Sequence, residues 1–488
     1  MKRIAVVLGI LVMSISLGSA ANKSNFTFSA TFGPHPVGFR AVHQYDYSRV
    51  YKPASDLEGK PSTGERARPI QTLIWYPARP DASAQPMPYG RYIDLLATEE
   101  NFDPDSAQKA AALRAALLNW GISGKYDIER VQPTHAFGDA KPAPGRFPVV
   151  IYAPSFSAPA FENSDLCEYL ASHGYVVVAS PDMGARSRSM TEDVVGIQTQ
   201  AADIEFLIGY LRDLPQADMS QIAVAGFSWG GISNVFASML DDRITALVCL
   251  EGTIRYAGER IKEVRYVTPS RLTVPLLFLA QRNLSIEELS QRKLDVSVSF
   301  LNDVKYSDFH FVSSSVMEHG DFSSASIRFR PDEQFTPFTA AEVSEGYSWM
   351  ARYGLNFLNA YLKNDAGGRD FLKASPEANG APRHQLAVQY RQALRPAPVL
   401  TDFARELANK GFDNATAIWQ EAKKKDPGYM LSEQEVNLFG YRLMTTGKLD
   451  KAIAIFKLNV AMYPESSNTY DSLAEAQAES GDTQGAIA

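Results

Sequence analysis

The stretch SQIAVAGFSWGGISNVFASMLDDRITALVCLEGT, residues 220–253, decides the fold of this chain. An apolar run at 222–225 is typical of a buried strand, and residues 232–240 have the composition of a helix. A second apolar run follows at 244–250. The pattern G-x-S-x-G lies between the first strand and the helix, which is the setting of a nucleophile elbow. We therefore predict a sharp strand-to-helix turn that exposes a serine hydroxyl.

Ser228 is the serine of this turn and the candidate nucleophile. Gly226 and Gly230 leave room for the strand and the helix to approach each other closely. The helix N-terminus behind Ser228 favours negative charge that develops there during a reaction. A serine hydroxyl is a poor nucleophile at neutral pH, so the prediction also requires a base and an acid elsewhere in the chain.

Strands and helices alternate on both sides of this turn, which predicts a mostly parallel sheet with helices on both faces. Further strands are predicted at 39–50, 70–77, 147–153, 175–180, 274–280 and, as the last, 309–317. Helices are predicted at 165–173, 199–214 and 345–362. The fold class is thus α/β, of the α/β-hydrolase type, over residues 33–376. A helical segment inserted near 80–146 is either a lid or a surface decoration.

Composition narrows the functional class. The chain has 488 residues and a net charge of −7, which gives no reason to expect nucleic-acid binding. Its two cysteines, Cys167 and Cys249, both lie in apolar segments, so we predict buried free thiols. No C-x-x-C or histidine-rich spacing indicates a metal site, and no cofactor is expected.

The N-terminus has the pattern of a secretory signal peptide over residues 1–20. Lys2 and Arg3 precede an apolar run at 4–17, and small residues end it at 18–20. An uncleaved anchor is the alternative, but the run is too short to span a bilayer comfortably. We expect an exported protein, periplasmic or extracellular, without a stable membrane span.

Three histidines follow Ser228 and could supply the base: His310, His319 and His384. In the α/β-hydrolase fold the base lies in a loop at the carboxyl edge of the sheet. His319 falls just after the last predicted strand, whereas His310 lies within that strand. His384 lies in a linker-like stretch, SPEANGAPRH, at 375–384. His319 is therefore the candidate base.

Glu251 is the candidate acid, because it follows the strand that ends at residue 250. Many enzymes of this fold carry the acid after the next strand. Here that strand ends in Gln281, which has no carboxylate. Glu287 or Glu288 could reach the base from the longer loop that follows, so both remain open.

Two backbone N–H groups are expected to form an oxyanion hole. One belongs to Trp229, the residue after the nucleophile. The other comes from the loop after the strand at 147–153, where Phe156 is the candidate and Ser155 and Ser157 are its neighbours in register.

The chain changes character after residue 376 and is predicted to be helical from there. Small residues recur with a period of 34, and this pattern over residues 399–488 resembles tetratricopeptide repeats. The recurring positions are Gly440, Gly447 and Ala452, followed by Ala474, Gly481 and Ala486. A plain helical hairpin domain is the alternative. The repeats could pack on the hydrolase domain or bind a protein partner.

The motifs of the first domain together resemble the platelet-activating-factor acetylhydrolase and dienelactone-hydrolase-like branch of the α/β-hydrolases. They are GPHPVG (33–38), IWYP (74–77), FPVVIYAPSFSA (147–158), ASHGYVVVASPD (171–182), GFSWGG (226–231), LEG (250–252) and MEHGDF (317–322). The resemblance implies acyl-ester hydrolysis without a cofactor.

The chain departs from the patterns of this branch at four positions. Glu251 stands where the acetylhydrolases usually have aspartate, and Pro154-Ser155 replaces their His-Gly. Ser228 also differs from the cysteine nucleophile of dienelactone hydrolases. We interpret the chain as an exported serine hydrolase that cleaves small-molecule carboxylic esters through an acyl-enzyme. The alternatives are a serine peptidase and a non-catalytic binding protein with a degenerate hydrolase domain.

Overall fold

The computed structural model describes residues 23–55, 58–119, 125–294, 300–394 and 399–487. The predicted signal peptide at 1–20 lies outside these residues. None of the helices in the described ranges combines the length and the apolar composition that a membrane span requires.

One mixed sheet organises the first four-fifths of the chain. Its strands, within the described residues, are β1 (Val37–Val50), β2 (Ala67–Arg79), β3 (Ala136–Gly138), β4 (Lys141–Pro142), β5 (Phe147–Ala153), β6 (Val176–Ala179), β7 (Ala217–Phe227), β8 (Ile244–Leu250), β9 (Leu276–Ala280), β10 (Phe309–Ser314) and β11 (Leu386–Arg391).

The strands run in the order β11-β10-β9-β8-β7-β5-β6-β2-β1-β3, and β4 pairs with β2. All neighbours from β10 to β6 are parallel, whereas β2 and β11 pair antiparallel with the two edges of this parallel block. The carboxyl ends of the parallel strands therefore meet at one edge of the sheet. The predicted α/β-hydrolase architecture requires this arrangement, since its catalytic residues lie in the turns at that edge.

Helices connect the strands and then continue alone to the C-terminus. In the described residues they are α1 (Gly90–Asp94), α2 (Ser106–Asn119), α3 (Tyr126–Arg130), α4 (Ser164–Ser172), α5 (Val194–Leu211), α6 (Gly230–Ser238), α7 (Gly258–Lys262), α8 (Ile286–Gln291), α9 (Phe300–Asp303), α10 (Ser324–Phe329), α11 (Ala340–Tyr361), α12 (Ala366–Lys373), α13 (Leu400–Lys410), α14 (Ala415–Lys425), α15 (Glu433–Thr445), α16 (Leu449–Met462), α17 (Ser467–Glu479) and α18 (Thr483–Ile487).

The sheet is buried on both faces. Alternate residues of β5 point to opposite sides, so Val150 packs with α4 and α11 in one core while Ile151 packs with α5 and α6 in the other. Both strand residues are fully buried. Because both faces of the sheet are buried, the parallel strands appear in the sequence as continuous hydrophobic runs. The two cysteines are buried free thiols, as predicted.

Most predicted elements agree with the structure, and the strands at 147–153 and 244–250 agree to the residue. One prediction is wrong, because 309–317 is not the last strand. β11 pairs antiparallel with β10, with Val388 opposite Val312, so the sheet extends past residue 376 to residue 391. The residues of β11 are mostly exposed, so its sequence lacks the apolar run that predicts a buried strand. At the other end Phe26 already packs on Tyr347, so the packed chain begins before residue 33.

The inserted segment contains more than helices. The helical segment predicted near 80–146 is present and includes α2, but β3 and β4 add two short strands to the sheet edge formed by β1 and β2. The insertion is therefore anchored in the sheet at its C-terminal end.

The helices α13 to α18 pack on one another around a core of their own that includes Trp419 and Phe456. A Cβ at Gly440 would lie 2.4 Å from the ring of Phe456, which explains why the repeat has a small residue at this position. This helical region also touches the first domain. Arg271 forms an ion pair of 3.4 Å with Glu435, and the hydroxyl of Tyr306 donates to Asp426.

Candidate active site

Ser228 occupies the turn between β7 and α6 with a φ of 51°. This left-handed conformation is uncommon for a residue with a side chain and persists only where its surroundings enforce it. Here the N–H of Ser228 donates to the carbonyl oxygen of Leu250 at 3.0 Å, and its carbonyl oxygen accepts from the N–H of Thr253 at 2.8 Å. The end of β8 thus holds the strained turn in place.

The two glycines of the motif are needed for close backbone contact. A Cβ at Gly226 would lie 2.2 Å from the carbonyl oxygen of Gly230, and one at Gly230 would lie 2.0 Å from that of Ala153. The start of α6 therefore touches the end of β5. This contact brings the loop after β5 alongside Trp229.

His319 follows β10 in a short 3-10 turn, His319–Phe322, at the carboxyl edge of the sheet. Its Nε2 lies 2.9 Å from Oγ of Ser228, the distance at which the hydroxyl can donate to an unprotonated ring nitrogen. The ring of Phe227 packs beside the imidazole, with 5.3 Å between the ring centroids. The structure thus brings the predicted nucleophile and the predicted base together.

The other two histidines are elsewhere. His310 is buried within β10, and its Nε2 lies 2.9 Å from the hydroxyl of Tyr361. Burial lowers the pKa of His310 to about 4, although the carboxylate of Asp308 opposes this effect. His384 lies in the connection that precedes β11.

Glu251 follows β8 directly, is fully buried, and has a φ of 43°. Burial by itself would raise the pKa of its carboxyl group. Hydrogen bonds with His319, Tyr256 and Gln281 outweigh burial and hold the pKa below its ordinary value, so the group is a carboxylate. The candidate nucleophile, base and acid therefore form one chain of contacts.

Gln281 and Tyr256 clamp the acid, a role that no motif in the sequence indicated. The N–H of Gln281 donates to Oε2 of Glu251 at 2.7 Å, and its side-chain amide donates to Oε1 at 2.8 Å. The hydroxyl of Tyr256 also donates to Oε1, at 2.7 Å. Gln281 stands at the end of β9, where many enzymes of this fold carry the acid, and here it holds the acid that follows β8.

The alternative acids lie outside the contact chain. Glu288 accepts two hydrogen bonds from Arg282, the shorter of 2.7 Å, and caps the helix α8 to which it belongs. The bond from Arg282 lowers the pKa of Glu288 to about 2. Within the described residues, neither Glu287 nor Glu288 has a contact with His319.

The loop after β5 offers one N–H group for an oxyanion hole. The N–H of Ser155 donates to Glu162 at 2.9 Å, and that of Ser157 donates to Asp182 at 2.8 Å. In contrast, the N–H groups of Phe156 and Trp229 have no acceptor among the described residues. The rings of these two residues meet edge to face at 5.4 Å. Phe156 and Trp229 are thus the pair of neighbouring donors that the fold leaves available.

A cavity of about 270 Å³ borders His319. Its lining combines apolar side chains of Val316, Phe335 and Phe338 with the charged side chains of Arg292 and Arg330. A second cavity, of about 730 Å³, lies between Arg265, Arg271 and the helical region and borders none of the candidate catalytic residues. Of these two cavities, the one beside His319 adjoins the candidate base.

Comparison with known proteins agrees with this architecture. The family model described as chlorophyllase matches residues 131–251, about a quarter of the chain, and this stretch includes both Ser228 and Glu251. The solved structure of a ferulic acid esterase from Streptomyces cinnamoneus aligns with a TM-score of 0.50 at 20% identity. The alignment covers 75% of this chain and 99% of that chain. This chain is an α/β-hydrolase in its fold.

The two matches support the α/β-hydrolase superfamily and an ester hydrolase in the general sense. Neither concerns the acetylhydrolase branch or the C-terminal repeats, so both of these stay predictions. No curated protein sequence matches the chain.

Proposed function

We propose that this protein is a serine hydrolase that cleaves carboxylic esters of small molecules through an acyl-enzyme. The observation that carries the proposal is the continuous contact from Ser228 through His319 to the buried Glu251. Nucleophilic catalysis by serine needs a base in hydrogen-bond contact and an acid that orients that base. The ester hydrolases found by comparison add support for this reaction class.

In the proposed reaction, Oγ of Ser228 attacks the ester carbonyl carbon while its proton passes to Nε2 of His319. The bond from this carbon to the alcohol oxygen then breaks, and His319 gives the proton to the departing alcohol. Water next attacks the acyl carbon and gives a proton to His319, which returns it to Oγ of Ser228 as the acid product leaves. No cofactor takes part in this sequence.

Glu251 has two tasks in this sequence. It holds the imidazole in the orientation that presents Nε2 to Ser228, and it stabilises the imidazolium that forms in each half-reaction. The N–H groups of Phe156 and Trp229 would bind the oxyanion, an interaction worth about 3 kcal/mol for each donor. The cavity beside His319 gives room for part of a small ester.

The signal-peptide pattern at residues 1–20 supports a further proposal, namely export of the mature protein. Expression of the full chain in a bacterial host followed by fractionation tests this part separately. A mature N-terminus near residue 21 in the exported fraction is the expected result, and an intact Met1 terminus in the cytosol would contradict it.

A panel of p-nitrophenyl esters with acyl chains from C2 to C12 tests the proposed activity on the purified mature chain. We expect turnover of at least one ester by the wild type and none above background by Ser228→Ala. Ser220→Ala, which alters an exposed serine of β7, is the matched control and should keep wild-type rates. Turnover by Ser228→Ala equal to that of the wild type would contradict the proposal.

A further inference from the structure

A buried glutamate outside the candidate triad holds the loop that carries Phe156. Glu162 is 1% exposed and lies just before α4. Its Oε2 accepts from the N–H of Ser155 and from the hydroxyl of Tyr152, each at 2.9 Å. Its Oε1 accepts from the hydroxyl of Ser155. One carboxylate thus fixes Ser155 through both its backbone and its side chain.

The same residue also reaches the loop of the base. The carbonyl oxygen of Glu162 accepts from the N–H of Ala325 at 3.1 Å and from the hydroxyl of Ser323 at 3.3 Å. These residues follow the short turn that begins at His319. Glu162 therefore joins the loop after β5 to the loop after β10, by its side chain on one side and its backbone on the other.

Asp182 binds the other side of the loop after β5. Its Oδ2 accepts from the N–H of Ser157, a residue with a φ of 56°. Together, the two buried carboxylates occupy the N–H groups on either side of Phe156. A polar group that is buried in this way costs free energy unless it is paired, so both acids favour this one loop conformation.

We propose that Glu162 is a positioning residue of the hydrolase: by anchoring Ser155 it directs the N–H of Phe156 toward the oxyanion. The inference rests on the proposed function and deepens it.

The chemistry of the carboxyl group suggests a conservative substitute. Burial raises the pKa of Glu162 to about 7, while hydrogen bonds with Ser155 and Tyr152 and the charge of His319 act in the opposite direction. A protonated carboxyl group can keep the same three contacts by donating to the hydroxyl of Ser155. The side-chain amide of glutamine has the same pattern of one acceptor oxygen and one donor.

The test compares Glu162→Ala and Glu162→Gln in kcat and KM on the best ester of the panel. If Glu162 positions an oxyanion donor, Glu162→Ala should lower kcat by about 10- to 1,000-fold and leave KM within about threefold. Glu162→Gln should restore kcat to within about threefold of the wild type, because its amide can anchor Ser155.

Glu168→Ala is the matched control for general destabilisation. Glu168 is also a buried glutamate of the same region, and it binds the hydroxyl of Tyr92 and the N–H of His135 rather than the loop after β5. We expect Glu168→Ala to lower the melting temperature about as much as Glu162→Ala and to leave kcat within about twofold. An equal loss of kcat in both alanine variants would overturn the positioning role.

A further variant keeps the test decisive if Glu162→Ala does not fold. Ser155→Ala removes the hydroxyl contact alone and should lower kcat by about three- to tenfold. Unchanged kcat in Ser155→Ala or in a folded Glu162→Ala would overturn the inference, as would a Glu162→Gln that is as slow as the alanine variant. Wild-type turnover is measured alongside, and its absence would instead refute the proposed function, with which this inference would also fall.

Discussion

The Nε2 of His319 lies 2.9 Å from Oγ of Ser228, although 91 residues separate the two in the chain. Ser228 follows β7 and His319 follows β10, with β8 and β9 between them in the sheet. The parallel strands carry both residues to the same edge. Glu251, which follows β8, meets His319 from between these two strands. The fold therefore assembles the three side chains without a long loop.

The charge of Glu251 is predicted to be essential for catalysis. Glu251→Gln should fold but lower kcat by about 10²- to 10⁴-fold, because the imidazolium of His319 loses its counter-charge. Glu251→Asp should be milder, since it retains the charge at a shorter reach. Steady-state kinetics on one ester measures both. Glu288→Gln is the control and should be near neutral; an inactive Glu288→Gln beside an active Glu251→Gln would mean that the acid is assigned wrongly.

The clamp on Glu251 is predicted to keep the protein stable to lower pH. The pKa of Glu251 is depressed in the folded protein, so the carboxylate and the stability it contributes persist above the ordinary glutamate pKa and are lost only as the pH falls through the depressed value. Removing the two side-chain donors, in Tyr256→Phe combined with Gln281→Ala, should raise this pKa, and the backbone N–H of residue 281 still donates to Glu251.

Chemical denaturation at a series of acidic pH values measures this shift. The free energy of unfolding should begin to fall at a higher pH in the double variant than in the wild type. Tyr266→Phe, which alters a tyrosine away from Glu251, should leave this pH dependence unmoved. A pH dependence of stability that is the same in the double variant and the wild type would show that the clamp does not control the ionisation of Glu251.

Close packing at the nucleophile elbow predicts that alanine substitutions at two glycines change the stability in opposite directions. Gly230→Ala places a Cβ 2.0 Å from the carbonyl oxygen of Ala153 and should lower the free energy of unfolding by about 1–3 kcal/mol, with loss of activity. Gly209→Ala adds a Cβ in open space on α5 and should raise stability by about 0.5–1 kcal/mol. Chemical denaturation measures both, and equal effects of the two substitutions would contradict the contact.

Much of this arrangement follows from local sequence signals. The elbow around Ser228 was predictable from a motif between a strand and a helix. His319 and Glu251 followed from chain order, because the fold demands a base and an acid after strands that the apolar runs reveal. For these three residues, the sequence shows both the chemical type of the side chain and its position after a predicted strand.

The supporting residues carry no such signal. In the sequence, Gln281 is simply a polar residue after a predicted strand. Its hydrogen bonds to Glu251 form because the ends of β8 and β9 lie side by side. In the sequence, Glu162 resembles an ordinary surface residue before a helix. It is buried because the segment near Ser323 packs over it. β11 was missed because an edge strand with few buried residues resembles a polar connection. These features are set by tertiary packing.

The position of β11 determines at which residue the chain can be truncated to remove the helical region. Every candidate catalytic residue precedes residue 376, so we expect the repeats to be dispensable for a small ester. A chain ending at residue 378 would also lose β11, the partner of the strand that leads to His319. A chain ending at residue 394 should therefore keep at least about half of kcat/KM, whereas one ending at 378 should melt lower by about 2 °C or more.

Thermal melts and ester kinetics on the two truncated chains test this prediction. Residue 394 is a suitable end because Leu394 still bonds to the carbonyl oxygen of Lys305. A soluble and folded chain ending at 394 that has no activity would mean that the helical region completes the site.

The most direct test of the proposed chemistry is covalent labelling of the mature protein by a fluorophosphonate, with the adduct located by peptide mass spectrometry. A serine activated by a neighbouring base reacts with such a reagent, whereas an ordinary serine does not. We expect one adduct per chain, on the peptide that contains Ser228, strongly slowed in His319→Ala and absent in Ser228→Ala. An adduct on another residue, or equal labelling of Ser228→Ala, would contradict the proposed chemistry.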